Sequence, residues 1–259
     1  MYYGASLDLR MADSPADFAQ YIDSLGLSHV ELRHNYLDSR DQPPSVAELV
    51  DVRESYGLTY TVHAPYSDCN PGHLNETLRR ATGESLKRAL DTAAAVGAGA
   101  VVTHGGAVRR SYPEHVKRRS REQAVRTIRE AAAHAADVGV PLCVENSRQK
   151  RTTQYTTETP DRLAAFLDDV AVGVDTESLG VTVDVGHAKA TGVEPTAFVE
   201  AVEHPVVVAH LHDNDGDADD HDPLPTYRSV AAELGATYNV LEMKSKADIA
   251  ECVAGETAG

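Results

Sequence analysis

Short and almost continuous apolar runs recur along the chain, and they alternate with longer stretches in which apolar residues follow a helical spacing. Such runs are typical of strands buried on both faces, as in a parallel sheet that helices cover. Eight runs predict strands at Tyr2–Ser6, His29–Leu32, Leu58–His63, Ala100–His104, Pro141–Glu145, Gly180–Asp184, Val206–His210 and Tyr238–Glu242. Eight stretches predict helices at Ser14–Ser24, Ser45–Ser55, Leu74–Ala95, Pro113–Val138, Pro160–Asp168, Pro195–Val202, Tyr227–Leu234 and Lys246–Val253. The alternation predicts the α/β class.

The boundaries of several predicted helices carry local signals. Pro160 and Pro195 stand at helix starts, and Gly97, Gly139 and Gly235 follow helix ends. A chain of 259 residues suits one large α/β domain or two small ones. Because no linker, repeat or low-complexity tract interrupts the alternation, we predict a single domain over residues 1–259.

Two α/β architectures fit the alternation, a doubly wound open sheet and a closed barrel. The first predicted strand leads into Gly4-Ala5-Ser6-Leu7, which is not a glycine-rich phosphate-binding fingerprint. Histidines and carboxylates stand at the ends of strands three to eight, and only a closed barrel brings six successive strand ends around one centre. The sequence therefore predicts a (β/α)₈ TIM barrel.

Six of the twelve histidines follow strand-like runs, and carboxylates accompany them. Zinc and manganese prefer imidazole and carboxylate ligands that are held rigidly, with one position open to water or substrate. One complete four-ligand site is predicted from Glu145, Asp184, His210 and Glu242. Donors for a second or third ion are supplied by His63, His104, His187, Asp219 and His221. We therefore predict a divalent-metal cofactor, zinc or manganese, of one to three ions.

The formal charge of −16 arises from 40 acidic and 24 basic residues, and arginines outnumber lysines by 18 to 6. An acidic chain with few lysines resembles proteins of salt-loving organisms, in which concentrated salt screens surface repulsion. An acidic protein of a mesophile is the alternative. The total charge by itself therefore says little about partners.

The basic residues are concentrated, because 11 of the 24 fall between residues 109 and 151. Part of this cluster belongs to a solvated helix, in which Arg126 and Arg129 can pair with Glu122 and Glu130. The remainder directly follows His104 and Glu145. This position predicts an anionic substrate, with Arg109 and Arg148 as candidate substrate-binding residues.

No apolar run approaches the roughly 18 residues of a membrane span, and no signal peptide is visible at Met1-Tyr2-Tyr3-Gly4. The three cysteines, Cys69, Cys143 and Cys252, are far apart and odd in number. Reduced thiols are expected, with Cys143 buried in a strand. The sequence thus predicts a cytoplasmic protein without a membrane partner.

Several strand-end motifs resemble those of one known superfamily. They are His63-Ala64-Pro65-Tyr66, Gly97-Ala98 before the strand that ends in His104, Glu145-Asn146, Asp184-Val185-Gly186-His187, His210-Leu211-His212-Asp213, Asp219-x-His221 and Glu242. Together they resemble the xylose isomerase-like barrel superfamily, which includes sugar isomerases and epimerases and the type IV apurinic endonucleases. The resemblance runs from the first strand to Glu242.

The two branches of the superfamily imply different metal sites. In the isomerases and epimerases, residues like Glu145, Asp184, His210 and Glu242 hold one divalent ion. The two glutamates there also move protons, and residues like His187 bind hydroxyls. In the endonucleases nine ligands hold three zinc ions, and this chain matches all nine with His63, His104, Glu145, Asp184, His187, His210, Asp219, His221 and Glu242.

The chain departs from the endonuclease pattern at three places. His212 stands where an asparagine is usual, Asp222-Pro223-Leu224 replaces a glycine-rich segment, and His104-Gly105-Gly106 replaces His-Pro-Gly. These departures favour the sugar branch. Glu31, Arg33 and His34 follow the second strand, where contact with a substrate and a surface ion pair are both open.

We therefore predict a metal-dependent isomerase or epimerase of a sugar or sugar phosphate, in which Glu145 and Glu242 are the catalytic acid and base of an enediolate mechanism. Substrate-binding residues are predicted at His187, Tyr66, His212, Arg109 and Arg148. The alternatives are a zinc-dependent endonuclease that cleaves DNA at abasic sites, and a barrel that binds a sugar or anion without catalysis.

Overall fold

The computed structural model describes residues 1–256, and the last three residues of the predicted domain lie outside the described residues. The described residues form ten strands: β1 (Tyr2–Leu7), β2 (His29–Arg33), β3 (Thr59–His63), β4 (Val101–His104), β5 (Ala107–Arg109), β6 (Leu142–Glu145), β7 (Thr153–Tyr155), β8 (Leu179–Asp184), β9 (Val206–Leu211) and β10 (Tyr238–Leu241). Eight of them pair in parallel and close a barrel in the order β1-β10-β9-β8-β6-β4-β3-β2. The predicted (β/α)₈ TIM barrel is confirmed.

Helices surround this barrel. They are α1 (Pro15–Ser24), α2 (His34–Asp38), α3 (Val46–Tyr56), α4 (Glu76–Val96), α5 (Glu114–Val138), α6 (Pro160–Ala171), α7 (Val185–Thr191), α8 (Pro195–Ala201), α9 (Tyr227–Leu234) and α10 (Lys246–Glu256). Ser14 caps α1 by accepting a hydrogen bond from the Asp17 amide at 3.1 Å. Gly97 and Gly139 end α4 and α5 at φ values of 68° and 72°, which side-chain-bearing residues rarely adopt. None of the described helices is long and apolar enough to cross a membrane.

Four short features of the described residues were absent from the sequence prediction: α2, α7, a 3₁₀ turn at Thr176–Ser178 and the antiparallel pair of β5 with β7. The two short helices begin at the residue after a barrel strand, so no turn signal separates them from it. The residues of β5 and β7 are half-buried or exposed, and three residues are too few to show a period.

The apolar core has two parts. The larger part lies between the barrel and the helices, and it includes strand residues such as Val144, Val183 and Leu211. The smaller part consists of four strand residues, Val102, Cys143, Val208 and Val240, together with Ala100 just before β4. Because side chains alternate along a strand, this smaller group faces the barrel interior.

Candidate metal centre

The side chains predicted as ligands continue the inward-facing rows of the barrel. Glu145 lies two residues beyond Cys143, and His210 lies two residues beyond Val208. Residues two apart share a face of a strand, so the apolar interior passes directly into a layer of acids and imidazoles. This layer stands at the carboxyl ends of the strands, where TIM barrels carry their active sites.

A central cluster is formed by Glu145, Asp184, His210 and Glu242. All four are buried, and each offers a ligand atom within 4.8 Å of those of the others. The Nδ1 atom of His210 lies 3.2 Å from Glu145 Oε1, 3.2 Å from Glu242 Oε2 and 3.8 Å from Asp184 Oδ2. The structure therefore brings the predicted four-ligand set together around one point.

The other ring nitrogen of His210 contacts Glu31. Its Nε2 lies 3.1 Å from Glu31 Oε2, and both side chains are fully buried. Thr61 donates a hydrogen bond to the same carboxylate at 3.3 Å. A carboxylate on one ring nitrogen fixes the tautomer and turns the other nitrogen toward a metal. Sequence reasoning left the role of Glu31 open, although its inward position could be read from the alternation of β2.

Electrostatics in the central cluster favour bound positive charge. Burial opposes a charge on His210, but Glu31 and Glu145 outweigh it and raise its pKa well above 6.5. Burial likewise opposes the charge of Glu145, yet His104 and His210 hold its pKa well below 4.5. The positive charge of the His210 imidazolium thus balances carboxylate charge that a bound cation would otherwise balance.

Two more histidines approach Glu145, one from the adjacent strand β4 and one from β3 beyond it. His63 Nε2 lies 3.7 Å and His104 Nδ1 lies 3.3 Å from Glu145 Oε2. Glu145 Oε2 and His104 Nδ1 are nevertheless buried without a hydrogen-bond partner. Burial lowers the pKa of His104 to about 4, so its ring is neutral, as a metal ligand must be.

A distal cluster combines His212, Asp219 and His221, whose ligand atoms lie within 4.8 Å of one another. His187 also reaches it, with Nε2 3.4 Å from Asp219 Oδ2. Burial disfavours the charge of Asp219, but its hydrogen bond with His187 holds its pKa well below 3.8. Burial also opposes the charge of His187, whose pKa is raised to about 10 mainly by Asp184.

His212 is fully buried and is not among the described residues that line the cleft. Its Nε2 lies 3.1 Å from Asp184 Oδ1, and its ring stacks on that of His221 with centroids 4.2 Å apart. A Cβ atom on Gly186 would lie 1.9 Å from the His212 ring, so glycine is required there. The geometry therefore makes His212 the member of the distal cluster that contacts the central cluster, at Asp184, and leaves it outside the lining of the cleft.

The clusters open into a cleft of about 400 Å³. Tyr66, Arg148 and His187, three of the predicted substrate-binding residues, line this cleft, but Arg109 is exposed on β5 and is not among its described lining residues. The prediction from alternation alone could not separate Arg109 from the cleft, because it did not include β5, on which Ala107 lines the cleft and Arg109 is exposed.

Most of the basic cluster is engaged elsewhere. Arg121 pairs with Asp169, Arg126 pairs with Glu76, and Arg129 donates to backbone carbonyls at the end of α6. These cations join α5 to its neighbouring helices. The basic cluster as a whole therefore does not border the cleft, although Arg148 and Lys150 do.

The residues fit divalent metal ions. Imidazole and carboxylate donors predominate, and several buried ones lack hydrogen-bond partners, including Glu31 Oε1, Glu145 Oε2 and Asp219 Oδ1. Buried polar atoms without partners are rare in proteins unless a bound ion or ligand satisfies them. Zinc and manganese accept this donor set.

Comparison with known proteins places the chain in one family. The family model described as a xylose isomerase-like TIM barrel matches residues 19–247. The uncharacterized protein MJ1311 of Methanocaldococcus jannaschii is 31% identical over 182 residues, which cover 69% of this chain and 59% of that relative. The matched region thus spans less than two thirds of the relative's length.

Two solved structures represent the two branches of the family. A D-tagatose 3-epimerase-like protein superposes with a TM-score of 0.81 and 25% identity, over 100% of this chain and 95% of the other. Endonuclease IV from Thermus thermophilus superposes with a TM-score of 0.70 and 22% identity, over 100% of both chains. A shared fold does not select a reaction. The family match, which covers most of the chain, shows that the protein belongs to the xylose isomerase-like TIM barrel family.

Proposed function

We propose that the protein is a divalent-metal-dependent isomerase or epimerase of a sugar or sugar phosphate. One observation carries the proposal: Glu145 and Glu242 both lie 3.2 Å from His210 Nδ1 within a buried four-donor cluster. The likeness to a D-tagatose 3-epimerase-like protein supports it. The cleft of about 400 Å³ suits a small ligand such as a monosaccharide.

Zinc or manganese, when bound, would polarise adjacent carbonyl and hydroxyl oxygens of an open-chain sugar and acidify the C–H bond between them. Proton transfer through an enediolate needs a base and an acid, and Glu145 and Glu242 are the two carboxyl groups of the cluster that we assign to these roles. His187, on the cleft wall, would donate a hydrogen bond to a substrate hydroxyl.

Arg33 is tied to Glu242 and governs its position. Its guanidinium forms an ion pair with Glu242, lies 3.5 Å from Asp8 Oδ2 and stands over the Tyr66 ring, 5.6 Å from the centroid. Arg33 is only 8% exposed, so the pair is shielded from solvent. We assign it the task of orienting Glu242 toward the cleft.

Proton exchange tests the proposed function directly. Metal-loaded protein in D₂O should place deuterium on the carbon next to the carbonyl of its substrate, which NMR detects even when the equilibrium favours the starting sugar. The panel comprises ketoses, aldoses, inososes and their phosphates, with metal-stripped protein as the control. The proposal fails if the loaded protein exchanges no carbon-bound proton in any of them.

A second candidate function is cleavage of DNA at abasic sites. It is favoured by the continuity of the donors, since His63 and His104 extend the central cluster on one side through Glu145, and Asp219 and His221 extend it on the other. Clustered ions suit phosphodiester hydrolysis. Incubation in high salt with a duplex that carries one abasic analogue tests it, and an intact strand after prolonged incubation would eliminate it.

A further inference from the structure

Apart from the proposed metal ligands, the charged side chains around the cleft are positive, whereas the chain as a whole carries a negative net charge. Among the described lining residues, every charged side chain outside the proposed ligand set is cationic: Arg10, Arg33, Arg148, Lys150 and Lys244. The chain as a whole has 40 acidic and 24 basic residues, and only six of the latter are lysines. Two of those six lysines stand at this one cleft. The amino-acid composition of the chain therefore does not explain why positive side chains gather at this cleft.

Two of the five cations, Arg10 and Arg33, have close carboxylate partners on or beside the barrel strands that account for them. Arg10 Nε lies 2.8 Å from Asp8 Oδ1, and Arg33 forms ion pairs with Asp8 and Glu242. These arginines complete the structure around β1, β2 and β10. They leave Arg148, Lys150 and Lys244 to be explained.

Two of the remaining three cations contact Asp219, and the third lines the same cleft. Arg148 Nε lies 3.7 Å from Asp219 Oδ2 and is buried without a hydrogen-bond partner. Lys244 Nζ lies 3.5 Å from the Asp219 carbonyl oxygen, at the limit of a hydrogen bond. Lys150 Nζ stands 5.4 Å from the centroid of the Tyr155 ring, and no carboxylate of a described residue pairs with it. Loops after β6 and β10 thus bring three cationic donors to the lining of the cleft.

We propose that Arg148, Lys150 and Lys244 form a subsite for an oxyanion of the substrate, so that the protein acts on an anionic sugar. The planar guanidinium of arginine matches a phosphate or carboxylate, and two ammonium groups add charge-assisted hydrogen bonds. The subsite lies beside the distal cluster and leaves the central cluster free for the carbonyl end of the sugar. This inference rests on the proposed function.

Binding of unreactive analogues tests the subsite apart from catalysis. Calorimetry on the metal-loaded protein would compare a pentitol, its terminal phosphate ester and the corresponding aldonate. We expect one of the two anionic compounds to bind at least about tenfold more tightly than the pentitol. The binding free energy of one hydrogen bond to a charged group corresponds to about a tenfold change in affinity. The two anionic arms separate a phosphate subsite from a carboxylate subsite.

The variant Lys150→Met/Lys244→Met should remove most of that preference and leave pentitol binding unchanged. Both lysines are exposed, so the thermal midpoint should not change. Arg148 stays intact because it contacts Asp219. The matched control is Lys87→Met, which removes a helix-surface lysine 3.6 Å from Glu84 and should change nothing.

Two results would overturn the subsite. Equal affinity for the pentitol and both anions would refute it, while deuterium exchange into a neutral sugar would leave the proposed function standing. A double variant that loses affinity for an abasic duplex, and not for the small anions, would assign the lysines to DNA. Conversely, a lysine-dependent preference for an anionic analogue, without proton exchange in any sugar, would uphold the subsite and reject the isomerase proposal.

Discussion

The substitution Glu31→Gln should weaken metal binding at the central cluster without unfolding the barrel. Glu31 accepts a hydrogen bond from Nε2 of His210 at 3.1 Å, which leaves Nδ1 free to face Glu145 and Glu242. A glutamine has nearly the same shape but no charge, and its amide can present either an oxygen or a nitrogen. The variant therefore loses the group that selects the tautomer and raises the basicity of the ligand nitrogen.

The expected size follows from the burial of the pair. Both side chains are fully buried, so water cannot replace the lost carboxylate. Loss of such a partner typically weakens metal binding about 10- to 100-fold, which corresponds to roughly 1.4 to 2.7 kcal/mol. The smaller value applies if the glutamine oxygen still accepts from His210, and the larger one if it does not.

Competition with a chromophoric chelator measures this change as a dissociation constant for zinc or manganese. Glu84→Gln is the matched control, since its side chain is 65% exposed on α4 and far from any ligand in sequence. Glu31→Asp should retain the charge and recover part of the affinity. A dissociation constant for Glu31→Gln within about twofold of the wild-type value, which lies below the range expected for such a partner, would show that Glu31 does not orient His210.

Three further outcomes are expected. Glu145→Gln should abolish metal uptake and proton exchange, because an amide is a poor ligand. The circular dichroism spectrum should stay native, because apolar layers below the site hold the barrel together. An unchanged metal content would place the site elsewhere. Gly186→Ala should destabilise the protein by about 1 to 3 kcal/mol, because the new methyl group would lie 1.9 Å from His212; a denaturant midpoint equal to that of the wild type would contradict this. The Cys143 thiol should resist a disulfide reagent until the protein is unfolded, since burial raises its pKa; rapid labelling in the native state would argue against the packed interior.

The local pattern of the sequence was sufficient to predict the barrel. Strands buried on both faces must be nearly continuous apolar runs, so each strand can be recognised from a few consecutive residues. The same locality explains why Glu145, Asp184, His210 and Glu242 could be predicted as neighbours. Each directly follows or ends an apolar run, and a closed parallel barrel gathers such positions at one rim.

Contacts across the barrel were decided only by the tertiary structure. Glu31 and His210 are 179 residues apart, and their pairing depends on the closure of the sheet. The contacts of Arg33 with Glu242 and of Lys244 with Asp219 likewise join different strands and loops. A strand pattern with a period of two tells which residues share a face, but not which atoms meet opposite them.

The basic segment between residues 109 and 151 is a second case in which the sequence did not decide which side chains face the cleft. Its arginines are adjacent in sequence, yet α5 directs Arg121 and Arg126 to neighbouring helices, while Arg148 and Lys150 reach the cleft. Charge along a chain is a local property that the sequence by itself determined. Which of those charges face a ligand depends on the direction of each side chain, and that direction is set by the packing of distant elements around the barrel.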